Sequence, residues 1–555
     1  MTGEQLRSGE GPEGGSFFYK GKTLLSRKDP KGQAERIAGL FPKSKRTLYV
    51  CPSPLYGYGL GVLLQSLDPD SAVLCVEADE GLLDLSRLSM EGLLRENPNL
   101  RLAYAGEEAE LCAYVRQIWG GRRFRRVEIL RLSGGWQLFP ETYDSLVNSL
   151  RRNINTDWAN AMTLVKLGRR YIRNALRNLA LIPKTQTISD VSFGRSPVLV
   201  LGAGPSLDGL LEGLSRFFGG ALGDPAKRPF RIICVDTALP SLKARNLAPD
   251  LAVILESQQW NLGDFIGSGG SRIPAAMDLS ALPASGEILG GPVFLFVTPW
   301  TSLSLFKRLQ GAGLLPRTMA PLGSVGLTAT ALARELSSGP IVTGGLDFSF
   351  TLDAYHARGT PGHLNRLYRQ NRFHSLIPGG GAFRRGVLKK TAKSGAAVLS
   401  DPAMASYRDL FEQEFAGEER IYDLAGPGLP LGTVPLSLEK AGEILGGGPG
   451  PAFFRPAPPE TESRTRAVEA FVRGEREALF TLRKILTGEI KVPEESLGEL
   501  LDRQDYLWAH FPDCAGTGGR RPPPGDLSFL KRVRAEIDPF IRLLGRVLEE
   551  LGGSY

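Results

Sequence analysis

The chain has 555 residues, 42% hydrophobic and 23% charged, with a formal net charge of +8. That length calls for two to four domains, and the balance is that of a globular chain rather than a disordered or fibrous one. No apolar run reaches bilayer length and no stretch has the make-up of a secretory leader, so a cytoplasmic location without membrane insertion is expected.

Cys51, Cys75, Cys112, Cys234 and Cys514 are scattered and form no CxxC or Cys/His cluster. Buried thiols in a reducing compartment are expected, and no metal site. The positive charge is spread along the chain, with two denser patches. Arg122, Arg123, Arg125 and Arg126 read as a solvated turn. Arg358, Arg366, Arg369, Arg372, Arg384, Arg385, Lys389 and Lys390 are open to two readings, a site for an acidic ligand or a solvated surface. No nucleic-acid-binding motif accompanies either patch, so nucleic acid is not expected as a partner.

Residues 1 to about 15 are rich in Gly and Glu and read as disordered. Thr47 to Cys51 reads as a strand running into Pro52-Ser53-Pro54-Leu55-Tyr56-Gly57-Tyr58-Gly59-Leu60-Gly61, with a helix starting near Leu60. The next strand, Ala72 to Val76, ends at Glu77, where a ribose-binding acid would stand in a Rossmann-like unit. Pro52 and Pro54 break the GxGxxG pattern, which favours a structural Rossmann-like domain over a working cofactor site. Tyr143 to Leu181 has helical periodicity and reads as a bridge between domains.

From Pro197 strands and helices alternate. The strands are Val198 to Leu201, Arg231 to Val235, Leu251 to Leu255, Val293 to Val297 and Pro340 to Thr343. Helices are expected from Ser206, over Leu239 to Arg245 and over Leu327 to Leu336. This alternation predicts a mostly parallel sheet covered on both faces, with ligands at the carboxyl ends of its strands. A Gly/Pro linker, Gly446 to Pro451 and Pro456 to Pro459, precedes three helices over Glu460 to Leu486, Glu494 to Phe511 and Asp526 to Leu551. A proline-bearing loop, Thr517 to Gly525, lies between the last two. The expected fold class is therefore α/β: a Rossmann-like domain over 1–140, a central α/β domain over 141–445 and a helical domain over 446–555.

The chemistry concentrates in the centre. After Val198 to Leu201 come Gly202-Ala203-Gly204-Pro205-Ser206-Leu207. Two glycines allow close backbone approach, Pro205 suits a first helical turn, and Ser206 can cap it or bond a phosphate oxygen. Such a turn aims backbone N–H groups at an anion, although a glycine loop alone is weak evidence. The set strengthens it: Asp236-Thr237 after the next strand, Pro249-Asp250 with Glu256 and Gln258 around another, Gly323-Ser324-Val325 at a helix start, then Gly345 and Asp347. Asp236 and Asp347 can equally be caps or turn residues. Together these predict a site for a phosphorylated small molecule, and a nucleotide best of all.

These residues resemble the motility-associated factor glycosyltransferase family, which modifies bacterial flagellin. Leu24-Leu25-Ser26-Arg27-Lys28-Asp29-Pro30 with Ala34-Glu35 is similar to its N-terminal signature. Gly202 to Leu207 is similar to its central one, and Pro249-Asp250, Gly323-Ser324-Val325 and Gly345-Leu346-Asp347 to later ones. Ile421-Tyr422-Asp423 with Gly426, Gly428 and Gly432 is similar to its closing segment. Glu256 stands where the family often has aspartate, and the loop Asp353 to Arg358 departs from its pattern.

The glycine loop and Gly-x-Asp-Phe elements also resemble bacterial sialyltransferases. The resemblance implies a sialyltransferase-like central domain, a CMP-linked acidic nine-carbon sugar as donor, and a Ser or Thr of flagellin as acceptor. No cofactor is required, because CMP leaves as a monoester. The implied donor site comprises Gly202, Gly204, Pro205, Ser206, Asp236, Thr237, Glu256, Gln258, Ser324, Gly345 and Tyr355. A histidine suits removal of the acceptor proton. His356 ranks first and His363 second, with Asp347 also a catalytic candidate and Tyr355 or an arginine near the leaving phosphate.

An archaeal pterin diphosphokinase group shares the Gly-Pro-Ser-Leu region. It supplies the alternative of a Mg²⁺-dependent diphosphokinase using Asp236, Asp250 and Asp347. A non-catalytic flagellin chaperone or scaffold is the third reading.

Overall fold

The computed structural model describes residues 7–9, 16–120, 122–352, 354–374, 386–447, 461–516 and 520–552. Asp353, Arg384, Arg385, the Pro456 to Pro459 run and most of the residues 1–15 lie outside them. The chain forms two compact units, one of residues 1–168 with 508–523, the other of 169–507 with 524–555.

The first unit opens with an antiparallel sheet of β1 (Arg7–Gly9), β2 (Ser16–Tyr19) and β3 (Lys22–Thr23). Residues 7–9 are thus a strand where disorder is expected: pairing with β2 supplies backbone partners that the polar sequence does not advertise. Helix α1 (Pro30–Leu40) is capped by Asp29, whose carboxylate accepts from the Gly32 N–H at 2.8 Å, with Pro30 at the first helical position. The Asp-Pro of the N-terminal signature is therefore a helix start, and Leu24 and Leu25 anchor it as buried core residues.

The chain then alternates β4 (Thr47–Pro52), α2 (Leu60–Gln65), β5 (Ala72–Glu77), α3 (Glu80–Ser89), α4 (Glu91–Glu96), β6 (Leu100–Tyr104), α5 (Glu108–Trp119) and β7 (Arg126–Ile129). The four strands form a parallel sheet in the order β6-β5-β4-β7, a Rossmann-like arrangement. Glu77 is fully buried, and the Ser86 hydroxyl donates to it at 2.8 Å. Burial pushes its carboxyl up to about 7. A side chain so enclosed does not face a ribose.

The arginine run is only in part a solvated turn: Arg125 and Arg126 are exposed, but Arg122 and Arg123 are not. The Arg123 guanidinium donates to the carbonyls of Pro69 and Asp70 and to Asn99, and Arg122 donates to the Ala515 carbonyl. Ala515 belongs to the short helix Pro512–Gly516.

Helix α6 (Pro140–Asn178) gives its residues through 168 to the first unit and the rest to the second. The second unit continues with β8 (Gln186–Thr187), β9 (Val198–Leu201), α7 (Leu207–Phe218), β10 (Arg231–Val235), α8 (Leu239–Lys243), β11 (Leu251–Ile254), β12 (Ile273–Asp278), α9 (Ser285–Ile288), β13 (Gly290–Val297), α10 (Ser304–Gly311) and β14 (Arg317–Thr318). Then come α11 (Val325–Leu336), β15 (Ile341–Gly344), α12 (Pro361–Arg369), the hairpin β16 (Leu388–Thr391) and β17 (Ala397–Ser400), α13 (Pro402–Phe415), β18 (Ile421–Leu424), β19 (Val434–Leu436) and α14 (Leu438–Gly446).

Every pairing in the large sheet is parallel, in the order β14-β13-β12-β11-β10-β9-β15-β18-β19, with β8 beside β13. Its central strands β9, β10, β11 and β15 are buried along their length and mostly apolar because both faces are covered. Leu207, Leu210, Leu211 and Leu214 give α7 a buried stripe at i, i+3, i+4 and i+7.

The unit closes with α15 (Thr461–Leu486), α16 (Glu494–Arg503) and, after the short helix of the first unit numbered α17, α18 (Leu527–Glu550). The helix expected over Glu494 to Phe511 thus ends at Arg503. There Asp505 turns to accept from the N–H of Ser304 at 2.7 Å, a tertiary bond that periodicity cannot reveal. Glu475, nearly buried on α15, takes a two-pronged ion pair from Arg308.

Candidate functional site

Strand order reverses between β9 and β15. In open α/β sheets this switch point is where the strand ends part and a ligand crevice forms. The glycine loop follows β9 and the Gly345-Leu346-Asp347 segment follows β15, so two motifs far apart in sequence become neighbours.

Their contact is intimate. The N–H of Gly202 donates to the Gly344 carbonyl and that of Gly204 to the Gly345 carbonyl, both at 2.8 Å. A Cβ on Gly204 would stand 2.7 Å from the Gly345 oxygen, and one on Gly202 equally close to the Gly345 carbonyl carbon. Gly345 itself has φ +72°. These glycines are glycines because two backbones touch. The N–H groups of Gly202 and Gly204 point into that contact.

Asp347 enters the start of α7. The Ser206 N–H donates to its Oδ2 at 2.7 Å and the Ser206 hydroxyl to its Oδ1 at 2.5 Å. The expected phosphate-facing serine thus faces a protein carboxylate, which serves as the resident anion of this helix terminus. Burial raises the Asp347 carboxyl, against the lowering effect of the Ser206 bonds and of Lys393. The glycines of the closing segment pack on the same knot. A Cβ on Gly428 would meet the Asp347 Cα at 2.7 Å, and one on Gly426 the Ser206 Cβ at 3.2 Å. Lys393 donates to Asp423, whose other oxygen accepts from the Leu431 N–H at 3.0 Å.

The next residue, Phe348, has φ +47°, a strained value for a bulky side chain. From there the chain loops back over the crevice. The Ala357 N–H donates to the Ala203 carbonyl at 3.0 Å, which lays His356 beside the glycine loop. Burial holds the His356 imidazole below its ordinary value, and the Arg366 guanidinium lowers it further. Tyr355 stacks on Phe350 with ring centroids 4.0 Å apart, and the Arg366 guanidinium lies 5.7 Å from the Tyr355 ring centroid. His363, on α12, has its Nδ1 occupied by the N–H of Gly359 at 3.3 Å. Pro205 is partly exposed at the rim.

A second group lies along the same edge, after β10 and β11. Asp236 is buried and accepts from the Thr237 N–H at 2.9 Å. Glu256 accepts from the N–H groups of Ser257 and Gln258, at 2.9 and 3.1 Å. Asp264, which the sequence reading missed, belongs with them. Burial lifts its carboxyl to about 7, helped by Asp236 and Glu256, and burial first, then Glu256, lifts Asp236 to about 6. Among the described residues no group of three or more His, Cys, Asp or Glu is arranged to hold a metal ion. Ser324 is the N-cap residue of α11, whose Gly326 packs on Leu346; its hydroxyl makes no capping bond.

Asp250 lies elsewhere. It precedes β11, at the amino edge of the sheet, locked between Arg228 at 2.5 Å and Arg231 at 2.6 Å. Its Pro-Asp motif is structural: at the edge opposite the crevice and held by two arginines, Asp250 takes no part in the polyphosphate site expected of it. The sequence reading also missed Asn174 and Asn178, one turn apart on α6. Their side-chain amides donate to the carbonyls of Ser257 and Ser280, and of Leu279 and Ala281, clamping the loops after β11 and β12. The asparagines that punctuate the apolar pattern of that helix are the signal that could have found them.

Residues 170–353, which carry the paired glycine turns and the switch point of the all-parallel sheet, match the family described as 6-hydroxymethylpterin diphosphokinase MptE-like. An uncharacterized protein of Treponema pallidum (strain Nichols) is 31% identical over 565 residues, covering 97% of this chain and 95% of its own. The solved MAf glycosyltransferase of Magnetospirillum magneticum AMB-1 superposes with a TM-score of 0.54 over 99% of this chain and 92% of that one, at 14% identity, a likeness of fold. The chain and its treponemal relative belong to one family. No helix among the described residues is long and apolar enough to cross a membrane.

Proposed function

We propose that this chain is a glycosyltransferase that moves a nonulosonic, sialic-acid-like sugar from its CMP derivative to a Ser or Thr of flagellin. The observation that carries the reading is the placement of His356: beside the glycine loop, at the switch point, in surroundings that hold its imidazole below its ordinary value. A neutral imidazole accepts the proton of the acceptor hydroxyl as its oxygen attacks the anomeric carbon. The bond from that carbon to the CMP phosphate breaks, and CMP leaves with the electron pair. Gly202, Gly204, Pro205, Ser206 and Gly345 shape the floor of the donor site, with Ser324 and Tyr355 at its margin. Asp236, Thr237, Glu256 and Gln258 supply polar contacts along the edge. Asp347 acts by holding Ser206 rather than by touching substrate.

The fold shared with a MAf glycosyltransferase supports this reading. Incubation of the chain with CMP-nonulosonate and unmodified flagellin, in excess EDTA, should add one sugar mass to flagellin peptides. Complete loss in EDTA that Mg²⁺ restores would overturn the metal-independent chemistry.

The MptE-like match over residues 170–353 favours a second reading, a Mg²⁺-dependent pterin diphosphokinase. Mg²⁺-dependent consumption of ATP with a hydroxymethylpterin would establish it.

A further inference from the structure

Helix α12 is unusual for a globular protein. Leu364, Leu367 and Tyr368 form an apolar stripe at i, i+3 and i+4, yet none of its nine residues is buried. Tyr368 is 81% exposed, and Phe373, past the end of the helix, is 79% exposed. The short 3₁₀ helix Gln259–Phe265 lies alongside: a Cβ on its Gly263 would stand 3.8 Å from Pro361, the first residue of α12. It adds Trp260, 82% exposed, and the exposed Ile266 follows it. Scattered single exposed apolar residues are ordinary, but a cluster of aromatic and aliphatic side chains on two abutting elements is the mark of a binding face.

Its charge is of one sign among the residues of α12 and its flanks. Residues 354–374 contain Arg358, Arg366, Arg369 and Arg372 and no Asp or Glu. Among the described residues none of these four arginines is in an ion pair. A face that pairs apolar rings with arginines of one sign is complementary to a surface carrying apolar side chains and carboxylates.

We propose that this face, formed by α12 and the Gln259–Phe265 helix, docks an acidic, apolar-studded segment of the acceptor polypeptide, so resting on the glycosyltransferase reading. Its position supports that occupant. The same loop that carries His356 leads directly into α12, so a segment seated here presents its hydroxyl-bearing neighbour to the base. Transfer to one hydroxyl needs registration to within about an ångström of a productive pose. A folded or folding polypeptide held by aromatic anchors gives that register, whereas a fluid lipid surface does not. Anchoring outside the reacting centre also leaves donor chemistry independent of the dock.

The test uses the full chain with Trp260, Leu367 and Tyr368 each changed to Ser, all exposed positions whose replacement leaves the core intact. Two quantities are measured: the Kd for purified flagellin of the same organism, and hydrolysis of CMP-nonulosonate without acceptor. We expect the flagellin Kd to rise tenfold or more and donor hydrolysis to stay within twofold. Raising the salt from 50 to 500 mM should weaken the wild-type complex, because screening acts on the arginines. Unchanged flagellin affinity in the variant overturns the dock whatever the fate of donor hydrolysis. So does a wild-type chain that does not bind flagellin. Capture of phosphatidylglycerol vesicles by the wild type, lost in the variant while flagellin binding persists, replaces the polypeptide with a membrane. Absence of donor hydrolysis in both proteins counts against the glycosyltransferase reading alone, since the ratio of flagellin affinities still reports on the dock.

Discussion

Asp347 and Ser206 are joined twice, through the serine's backbone N–H and through its hydroxyl, across the switch point of a ten-stranded parallel sheet. The pair couples the loop after β9 to the loop after β15, so an internal carboxylate ties together the two sides of the crevice.

Asp347→Asn keeps the size and removes the charge. Hydrogen bonds to charged groups contribute about 1.5–3 kcal/mol, and a loss of that order is expected in denaturant unfolding. Ser206→Ala removes one of the two bonds and should cost less. If Asp347→Asn is neutral in stability, the carboxylate does not hold the loops together.

Gly204→Ala places a methyl group against the Gly345 backbone, which cannot swing aside as a flexible side chain would. Overpacking of this kind costs about 1–3 kcal/mol. Gly209, two residues into α7 with nothing within 4 Å of its Cβ position, provides the contrast. Gly209→Ala should stabilise by about 0.5–1 kcal/mol. Thermal melts of the two variants should therefore move in opposite directions.

His356→Ala should lower transfer by about 10²–10⁴-fold while CMP binding by calorimetry is nearly unchanged. The acid limb of the pH–rate profile should inflect below 6.5, because the imidazole is held below its ordinary value. Arg366→Gln removes a neighbouring positive charge and should move that inflection upward. If His363→Ala is inactive and His356→Ala is not, the role passes to His363.

Glu77 makes the stability of the first unit depend on pH. Its carboxyl is raised from 4.5 to about 7 in the folded state, so the native form holds its proton more tightly than the unfolded chain. The resulting stability is fully present below about pH 4.5 and is lost as pH rises through 7. Glu77→Gln should therefore melt close to wild type at pH 5 and above it at pH 8. Equal shifts at both pH values would show that Glu77 is not protonated in the fold.

The alternation of strands and helices, the parallel sheet and the glycine turns could be read from the sequence because each leaves a local pattern: apolar runs, a 3.6-residue period, glycine where backbones approach. The partner of each motif could not. Nothing local in Gly202-Ala203-Gly204 says that its N–H groups are taken by Gly344 and Gly345, or that Asp347 reaches Ser206. Asp250 looked like a site acid for the same reason. A carboxylate beside a strand reads alike at either end, and only the sheet shows that it lies at the amino edge between two arginines. Asp264 was hidden because it follows no strand; a 3₁₀ helix carries it to Asp236 and Glu256.

The strand order has a consequence for how the protein is made. β9 has β10 on one side, close in sequence, but its other edge is satisfied only by β15, where Val198 pairs with Ile341. As the chain leaves the ribosome, β9 to β14 can assemble in order while the inner edge of β9 stays unpaired and apolar. That open edge is a template for stray strand addition until the distant segment arrives. The crevice therefore comes into being in a late, long-range closure step. Slowing translation between Val198 and Ile341 should prolong the exposure of that edge to chaperones.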